Sequence, residues 1–160
     1  MALKSYQFGM LASFGSFVLL AGAWMFQAIG YAPCAICIWQ RYPHAAAILL
    51  GLLVLIGLRH KFVYFLGALA AAATSGIGLY HTGIERDWWE GPASCTGGGL
   101  GGLSGGDLLS LEGNKLIMCD QVSWEFLALS MPSWNALLSA ILVVIWITAA
   151  LTTTATSRTV

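Results

Sequence analysis

The residues of this chain that are best suited to chemistry are four cysteines in two differently spaced pairs. Cys34 and Cys37 form a CxxC motif, whereas Cys95 and Cys119 are widely separated in the sequence. Residues three apart on a helical turn share a face and can be bridged, and the helix dipole stabilises a thiolate near a helix N-terminus. The CxxC motif therefore indicates thiol–disulfide exchange, with Cys37 as the better placed thiolate.

Structural uses of the cysteines compete with redox exchange. A static structural disulfide remains an alternative for the CxxC pair. A zinc site is disfavoured, because structural zinc sites commonly combine two close pairs of ligands and Cys95 and Cys119 flank a glycine-rich run at residues 96–106. The haem attachment pattern CxxCH is excluded because Ile38 follows Cys37. Redox exchange is the favoured interpretation, and no metal is expected.

The elements that must position these cysteines are apolar segments long enough to cross a membrane. The chain has 160 residues, of which 58% are hydrophobic and 9% charged, so it cannot present a water-soluble surface. A bilayer core about 30 Å thick needs about 20 apolar residues per helix. Four such windows occur, at residues 8–29, 38–58, 62–82 and 134–151. They predict an all-α, polytopic membrane four-helix bundle that forms a single domain over residues 1–160.

The first window has a second interpretation, since Lys4 precedes an apolar run as in a cleaved signal peptide. The apolar run is longer than a typical signal-peptide core, and no clear A-x-A site follows it. We therefore expect residues 8–29 to be a membrane helix.

The third window predicts its own packing face. Ala68, Ala72 and Gly76 recur in it at four-residue spacing, and small residues allow helices to approach closely. We expect these three residues to face the neighbouring helices.

Charge distribution predicts which side of the membrane each loop faces. The short turn at residues 59–61 is basic, as cytoplasmic loops are, so both termini are expected on the cytoplasmic side, in agreement with Lys4 and Arg158. The CxxC turn at residues 30–37 and the long insert at residues 83–133 then share the opposite side. All seven acidic residues lie in that insert. In the inner membrane of a bacterium this side is the oxidising periplasm, and a net charge of zero excludes the basic footprint of a nucleic-acid binder.

The insert between the third and fourth windows favours a movable disulfide. A disulfide from Cys95 to Cys119 would contribute nominally about 3 kcal/mol to stability by reducing the chain entropy of the unfolded state. A loop with so many glycines is flexible, however, and does not favour a rigid structural disulfide. An exposed, movable disulfide is readily attacked by a thiolate of another protein. Residues 107–112 begin with an N-cap aspartate and contain several leucines, which is compatible with a surface helix or a plain loop.

Two cysteine pairs on one side can pass electrons by exchange, but a steady oxidase also needs a final acceptor. The sequence has no dinucleotide fingerprint, haem motif or metal-cluster pattern, whereas a lipid-soluble quinone can reach the CxxC motif from the bilayer. Arg41, one turn after Cys37, offers a fixed cation whose presence in a membrane segment is costly without such a task. The candidate residues around a quinone are Trp39, Arg41, Tyr42, His44 and His81. Either histidine alone is also interpretable as a packed or interfacial residue.

Several motifs of the chain resemble those of the DsbB-type disulfide bond formation proteins of bacterial inner membranes. The matching stretches are residues 32–43, Tyr80-His81-Thr82, Cys119-Asp120, Trp124-Glu125-Phe126-Leu127 and Met131-Pro132-Ser133-Trp134. Their order and the hydropathy pattern match over nearly the whole chain. Two features depart from the family: the glycine-rich run at residues 96–106, and Gln40, where family members can carry an acid.

The resemblance implies a membrane enzyme that reoxidises a periplasmic, DsbA-like dithiol carrier of thioredoxin fold and reduces a quinone. Cys95 matches the cysteine that the carrier attacks. Cys119 matches its partner, which exchanges with Cys34. Cys37 matches the cysteine that faces the quinone. Arg41 and His81 match residues of the quinone site, and the quinone is expected to be ubiquinone or menaquinone.

Two other function classes remain open from the sequence. The first is a four-span scaffold whose insert is held by a static disulfide and docks a partner. The second is a thiol protein working in the opposite direction, a reductant conduit or a relative of vitamin K epoxide reductase. Resistance of both disulfides to a mild dithiol would favour the scaffold, and the identity of the electron acceptor separates the two redox classes.

Overall fold

The computed structural model describes residues 4–92, 95 and 118–156. In chain order its elements are α1 (Ser5–Ala28), α2 (Ala35–Leu55), α3 (Lys61–Glu85), β1 (Glu125–Phe126), β2 (Leu129–Ser130) and α4 (Met131–Thr156). All four helices in this part of the chain are long and apolar enough to cross a membrane, which makes it a multi-pass membrane protein. The predicted all-α, four-helix fold is confirmed. The glycine-rich run at residues 96–106, the leucine-containing segment 107–112 and Arg158 lie outside the described residues.

Glycines in the left-handed region end the first two helices. Gly30 has a φ of 107°, and the amide of Tyr31 donates to the Phe26 carbonyl at 3.0 Å, which is the Schellman pattern of a helix C-terminus. Gly57, with a φ of 106°, ends α2 in the same way. Since a residue with a Cβ rarely adopts this conformation, the two glycines fix where the chain turns. The turn at Gly30 is followed by Cys34, which lies at the N-terminus of α2.

The helices form a closed bundle in which each packs against its neighbours in sequence and α1 returns to α4. Helix α3 makes the closest approaches: a Cβ on Gly67 would lie 2.5 Å from the Trp146 ring, and one on Gly78 would lie 2.9 Å from a backbone carbonyl oxygen of α4. The prediction for this face was partly wrong. Ala68 is buried, but Ala72 and Gly76 are exposed, because a strict four-residue spacing drifts around a helix of 3.6 residues per turn.

Two buried clusters lie in the bundle. The larger is built around Tyr64 and Trp146, whose ring centroids are 6.2 Å apart. The second, here called the cysteine cluster, brings together the start of α2, the end of α3 and the insert. Its members are Cys34, Ile36, Ile84, Cys95 and Cys119.

A short hairpin connects the insert to α4. Strands β1 and β2 pair antiparallel, and the turn residues Leu127 and Ala128 have φ values of 53° and 61°. Arg86, directly after α3, donates to the Ala128 carbonyl at 2.6 Å. The hairpin therefore ties the end of α3 to the start of α4, beside the cysteine cluster.

Candidate redox site

All four cysteines meet at one end of the bundle. Cys95 and Cys119 form a disulfide, whereas Cys34 and Cys37 are free thiols whose Sγ atoms are 2.9 Å apart. The Sγ atoms of Cys34, Cys95 and Cys119 all lie within 4.8 Å of one another. Cys34 thus contacts both its CxxC partner and the disulfide of the insert, so the sulfurs form one continuous group across which a disulfide can be exchanged.

Cys34 is the N-cap of α2, and its position differs from that expected of the CxxC motif. Its Sγ atom accepts a hydrogen bond from the backbone amide of Cys37 at 3.2 Å, as N-cap side chains do. We predicted Cys37 to be the thiolate favoured by the helix N-terminus. That prediction was wrong, because the free amides of the first turn point back at the capping residue rather than at a residue within the turn.

The surroundings of Cys34 favour its thiolate. A hydrogen bond from the Cys37 thiol, supported by His81 and by the Cys37 amide, lowers the pKa of Cys34 to about 4, although burial opposes this shift. A cysteine with such a pKa is ionised at neutral pH, and the thiolate is the nucleophile of disulfide exchange.

His81 of α3 lies beside both CxxC sulfurs. Its Nε2 atom is 3.6 Å from the Sγ atom of Cys34, and its Nδ1 atom is 4.0 Å from that of Cys37. Gln40 of α2 contacts the same Nδ1 atom at 3.2 Å. The structure therefore brings His81 to the cysteines of the CxxC motif.

A network of buried polar side chains extends from His81 into the bundle. Asn135 of α4 donates to the Gln40 side-chain oxygen at 2.7 Å and lies 2.8 Å from His44 Nε2. The hydroxyl of Thr74 is 3.2 Å from the same His44 nitrogen. Asn135 and Thr74 were missed from the sequence. The available signal was the amide of Asn135 inside an otherwise apolar span, since such a group is costly in a membrane without partners.

A cavity of about 400 Å³ lies beside the CxxC motif, a size typical of small-molecule sites. Much of its wall is apolar and comes from α1 and the start of α4. Five of the predicted site residues outside the insert line it together: Cys34, Cys37, Arg41, His44 and His81.

Arg41 lines this cavity while being held by α1. Its Nη1 atom donates to the Gln27 side-chain oxygen at 2.7 Å, and its guanidinium lies 5.1 Å from the centre of the Trp24 ring. Its Nε atom is buried and has no hydrogen-bond partner among the described residues. The arginine is thus oriented by α1 and keeps one N–H group for a ligand.

Two predicted residues are not brought to the cavity. Trp39 and Tyr42 do not appear in its wall, and 49% and 68% of their respective surfaces are exposed on the outside of the bundle. Both therefore lie where lipid or the lipid–water boundary would surround them.

Comparison with known proteins gave consistent matches. Residues 5–149 match the family model described as disulfide bond formation protein DsbB. Two relatives named disulfide bond formation protein B come from Xanthomonas oryzae pv. oryzae, strains MAFF 311018 and KACC10331 / KXO85. Each is 32% identical to this chain, and the alignment covers 67% of this chain and 67% of the relative. No solved structure matches the chain.

Proposed function

The chain belongs to the DsbB family of disulfide bond formation proteins, and from this premise we propose that it is a membrane protein-dithiol:quinone oxidoreductase. Its electron donor is a DsbA-like dithiol carrier of thioredoxin fold in the periplasm. Its electron acceptor is a quinone of the bacterial inner membrane, ubiquinone or menaquinone. Both termini then lie on the cytoplasmic side, and the cysteine cluster lies at the periplasmic face.

The first step is oxidation of the carrier by the disulfide of the insert. A carrier thiolate attacks Cys95 Sγ, so the Cys95–Cys119 bond breaks and Cys119 leaves as a thiolate. The second thiol of the carrier then attacks the mixed disulfide and releases Cys95. The carrier loses two electrons and two protons and gains a disulfide, while the insert pair becomes a dithiol.

The second step moves the electrons to the CxxC motif. When Cys34 and Cys37 are joined, the Cys119 thiolate attacks Cys34 Sγ and Cys37 leaves, after which Cys95 attacks Cys119 and releases Cys34. The observation that carries this step is the contact distance of at most 4.8 Å among the sulfurs of Cys34, Cys95 and Cys119. The low pKa of Cys34 supports the same step, because a stabilised thiolate is a good leaving group.

The final step returns the CxxC dithiol to a disulfide, with two electrons and two protons passing to the quinone, which becomes a hydroquinone. The cavity fits this acceptor: Cys37 lines it, its walls are largely apolar, and buried polar atoms of Arg41 and His44 lack partners among the described residues. Arg41 would orient a carbonyl oxygen through its free N–H group, and His81 would hold Cys34 and Cys37 in place. Trp39, outside the cavity wall, would contact the lipid through which the quinone arrives.

A coupled assay tests the proposal. Purified protein is mixed with a reduced thioredoxin-fold dithiol carrier and a soluble ubiquinone analogue, and quinone absorbance is followed. We expect catalytic loss of the absorbance, abolished in Cys37→Ser and retained in Ser75→Ala, whose side chain contacts α4 away from the cavity. Carrier oxidation that continues at the same rate without quinone would refute the assigned acceptor. Disulfides that resist the carrier in folded protein would favour the scaffold function.

A further inference from the structure

The two histidines of the cavity are joined by a buried chain of hydrogen bonds that also reaches the redox pair. His44 Nε2 is 2.8 Å from Asn135 Oδ1, and Asn135 Nδ2 is 2.7 Å from Gln40 Oε1. Gln40 Nε2 is 3.2 Å from His81 Nδ1, and His81 Nε2 is 3.6 Å from Cys34 Sγ. The chain thus connects the interior of the cavity with the Cys34 sulfur.

Backbone carbonyls determine the direction of this chain, because a carbonyl can only accept. Gln40 Nε2 lies 3.4 Å from the carbonyl oxygen of Ile36, so the amide nitrogen rather than its oxygen must lie on that side. Asn135 Nδ2 lies 3.5 Å from the carbonyl oxygen of Thr74. The Thr74 hydroxyl in turn donates its single proton to the Gln40 carbonyl at 3.2 Å. Rotating either side-chain amide by about 180° would place its oxygen against a backbone carbonyl oxygen, and both of these atoms are acceptors.

The two fixed amides assign the proton on each histidine ring. Gln40 donates to His81 Nδ1, so the His81 proton is on Nε2 and points at Cys34. Asn135 Oδ1 and the Thr74 hydroxyl oxygen can only accept at His44 Nε2, so that nitrogen carries the His44 proton. Every donor in the chain therefore points from His44 towards Cys34, and the Nδ1 atom of His44 bears a free lone pair.

That lone pair is buried without a partner. His44 is 3% exposed, it lines the cavity, and its Nδ1 atom has no hydrogen-bond partner among the described residues. A buried acceptor without a partner is destabilising, so a group that donates a hydrogen bond is expected there when the cavity is filled.

We propose that Gln40 and Asn135 are positioning residues that make His44 a hydrogen-bond acceptor for a hydroxyl group of the ligand in the cavity. The identity of that ligand, the hydroquinone, rests on the proposed function. A hydroquinone has a hydroxyl proton to donate to His44 Nδ1, whereas an oxidised quinone carries only acceptors and gains nothing from it. The Nε–H of Arg41 has the opposite preference, since it can serve a quinone carbonyl.

Gln40 orients two different residues: its oxygen accepts from Asn135, which faces His44, and its amide nitrogen donates to His81. A carboxylate at this position would still accept from Asn135 but could not donate to His81 Nδ1. We therefore expect Gln40→Glu to move the His81 proton to Nδ1 and to leave the His44 proton on Nε2.

Nitrogen-15 NMR of protein labelled in its histidines tests the proposal, since it reports which ring nitrogen carries the proton. In the wild type, with His44 neutral, we expect the proton on Nε2 and a bare Nδ1 that shifts when a soluble hydroquinone analogue is added under anaerobic conditions. The oxidised analogue should leave this resonance unchanged. Asn135→Leu removes the nearer acceptor and leaves only the Thr74 hydroxyl at His44 Nε2, so it should reduce the preference for Nε2 and weaken hydroquinone binding about tenfold. Ser75→Ala is the matched control, since the Ser75 hydroxyl donates to the Ala136 carbonyl and not to a member of the hydrogen-bond chain.

The NMR measurement on the wild-type protein tests the role of His44 even if a variant does not fold. A proton on His44 Nδ1, or an equal shift with the oxidised analogue, would overturn the inference. Quinone turnover of the same labelled sample separates it from the proposed function. Turnover with a protonated Nδ1 would refute only the role of His44, whereas the expected tautomer and hydroquinone shift without turnover would uphold that role and refute the oxidoreductase.

Discussion

The Nε2 atom of His81, in the last turns of α3, lies 3.6 Å from the Sγ atom of Cys34, which caps α2. This contact joins two helices at the point where the insert disulfide reaches the CxxC motif. Because Cys34 also receives the thiol and the amide of Cys37, the most stabilised thiolate is the one nearest the insert. Cys37 remains at the cavity. Both CxxC cysteines line the cavity, and of the two it is Cys34 whose sulfur also lies within 4.8 Å of those of Cys95 and Cys119.

The pKa of Cys34 gives the first prediction. Since its folded pKa is lowered to about 4, its thiolate is present at neutral pH and is lost only as the pH falls through about 4. Alkylation of the reduced CxxC pair in the folded protein, with labelled peptides identified by mass, should show Cys34 reacting slowly because it is buried, but with this pH dependence.

Removing the donors to Cys34 should raise its pKa. We expect an upward shift in Cys37→Ala and a smaller one in His81→Ala, following the order of their contributions. His60→Ala is the control, because His60 caps α3 at the opposite end of the bundle. An unchanged pH profile in Cys37→Ala would show that the thiol contact does not stabilise the thiolate.

Cys95→Ser should separate the two halves of the reaction. Carrier oxidation should fall to background, because no disulfide remains for the carrier to attack, while quinone reduction by a small dithiol should persist through Cys34 and Cys37. The two activities are measured on one preparation. Unaltered carrier turnover would mean that Cys95 is not the residue attacked by the carrier.

Arg41→Ala should weaken use of the quinone more than use of the carrier. Loss of a charged hydrogen-bond donor is worth about 1.5–3 kcal/mol, so we expect the KM for quinone to rise at least about tenfold with a nearly unchanged KM for carrier. Arg59→Ala is the matched control, because Arg59 lies between α2 and α3 and stacks on Tyr6. Equal effects of both substitutions on quinone use would remove Arg41 from the site.

Two glycines of α3 should respond oppositely to substitution. Gly67→Ala places a Cβ 2.5 Å from the Trp146 ring, so we expect a loss of about 1–3 kcal/mol in the free energy of unfolding. Gly76→Ala meets nothing within 4 Å among the described residues and should be neutral or stabilising by up to about 1 kcal/mol. Thermal unfolding in detergent compares them, and equal Tm values would contradict the packing of α3 against α4.

Much of the fold follows from the sequence, because hydropathy and length alone identify the four helices. The packing face of α3 was less predictable. Ala72 and Gly76 fit a small-residue pattern, but the face is determined by where Trp146 of α4 requires space, and this is not visible in a single segment.

The site was predictable in its sulfurs and less so in its polar partners. The CxxC spacing indicated redox exchange, yet the preference for the Cys34 thiolate depends on the N-cap geometry of one residue. The roles of Asn135 and Thr74 arise only when α3 and α4 pack beside Gln40, so no local motif marks them. Trp39 shares a motif with Arg41 but lies on another face of α2.

Single-turnover thiol mapping tests whether electrons pass from the insert disulfide to the CxxC motif. Fully oxidised protein is mixed with one equivalent of reduced carrier in the absence of quinone, quenched in acid, alkylated and analysed by peptide mass. We expect the alkylated thiols to be Cys34 and Cys37, with Cys95 and Cys119 again joined, and we expect added quinone to remove those thiols. Thiols that remain on Cys95 and Cys119 while Cys34 and Cys37 stay oxidised would contradict transfer of electrons from the insert to the membrane.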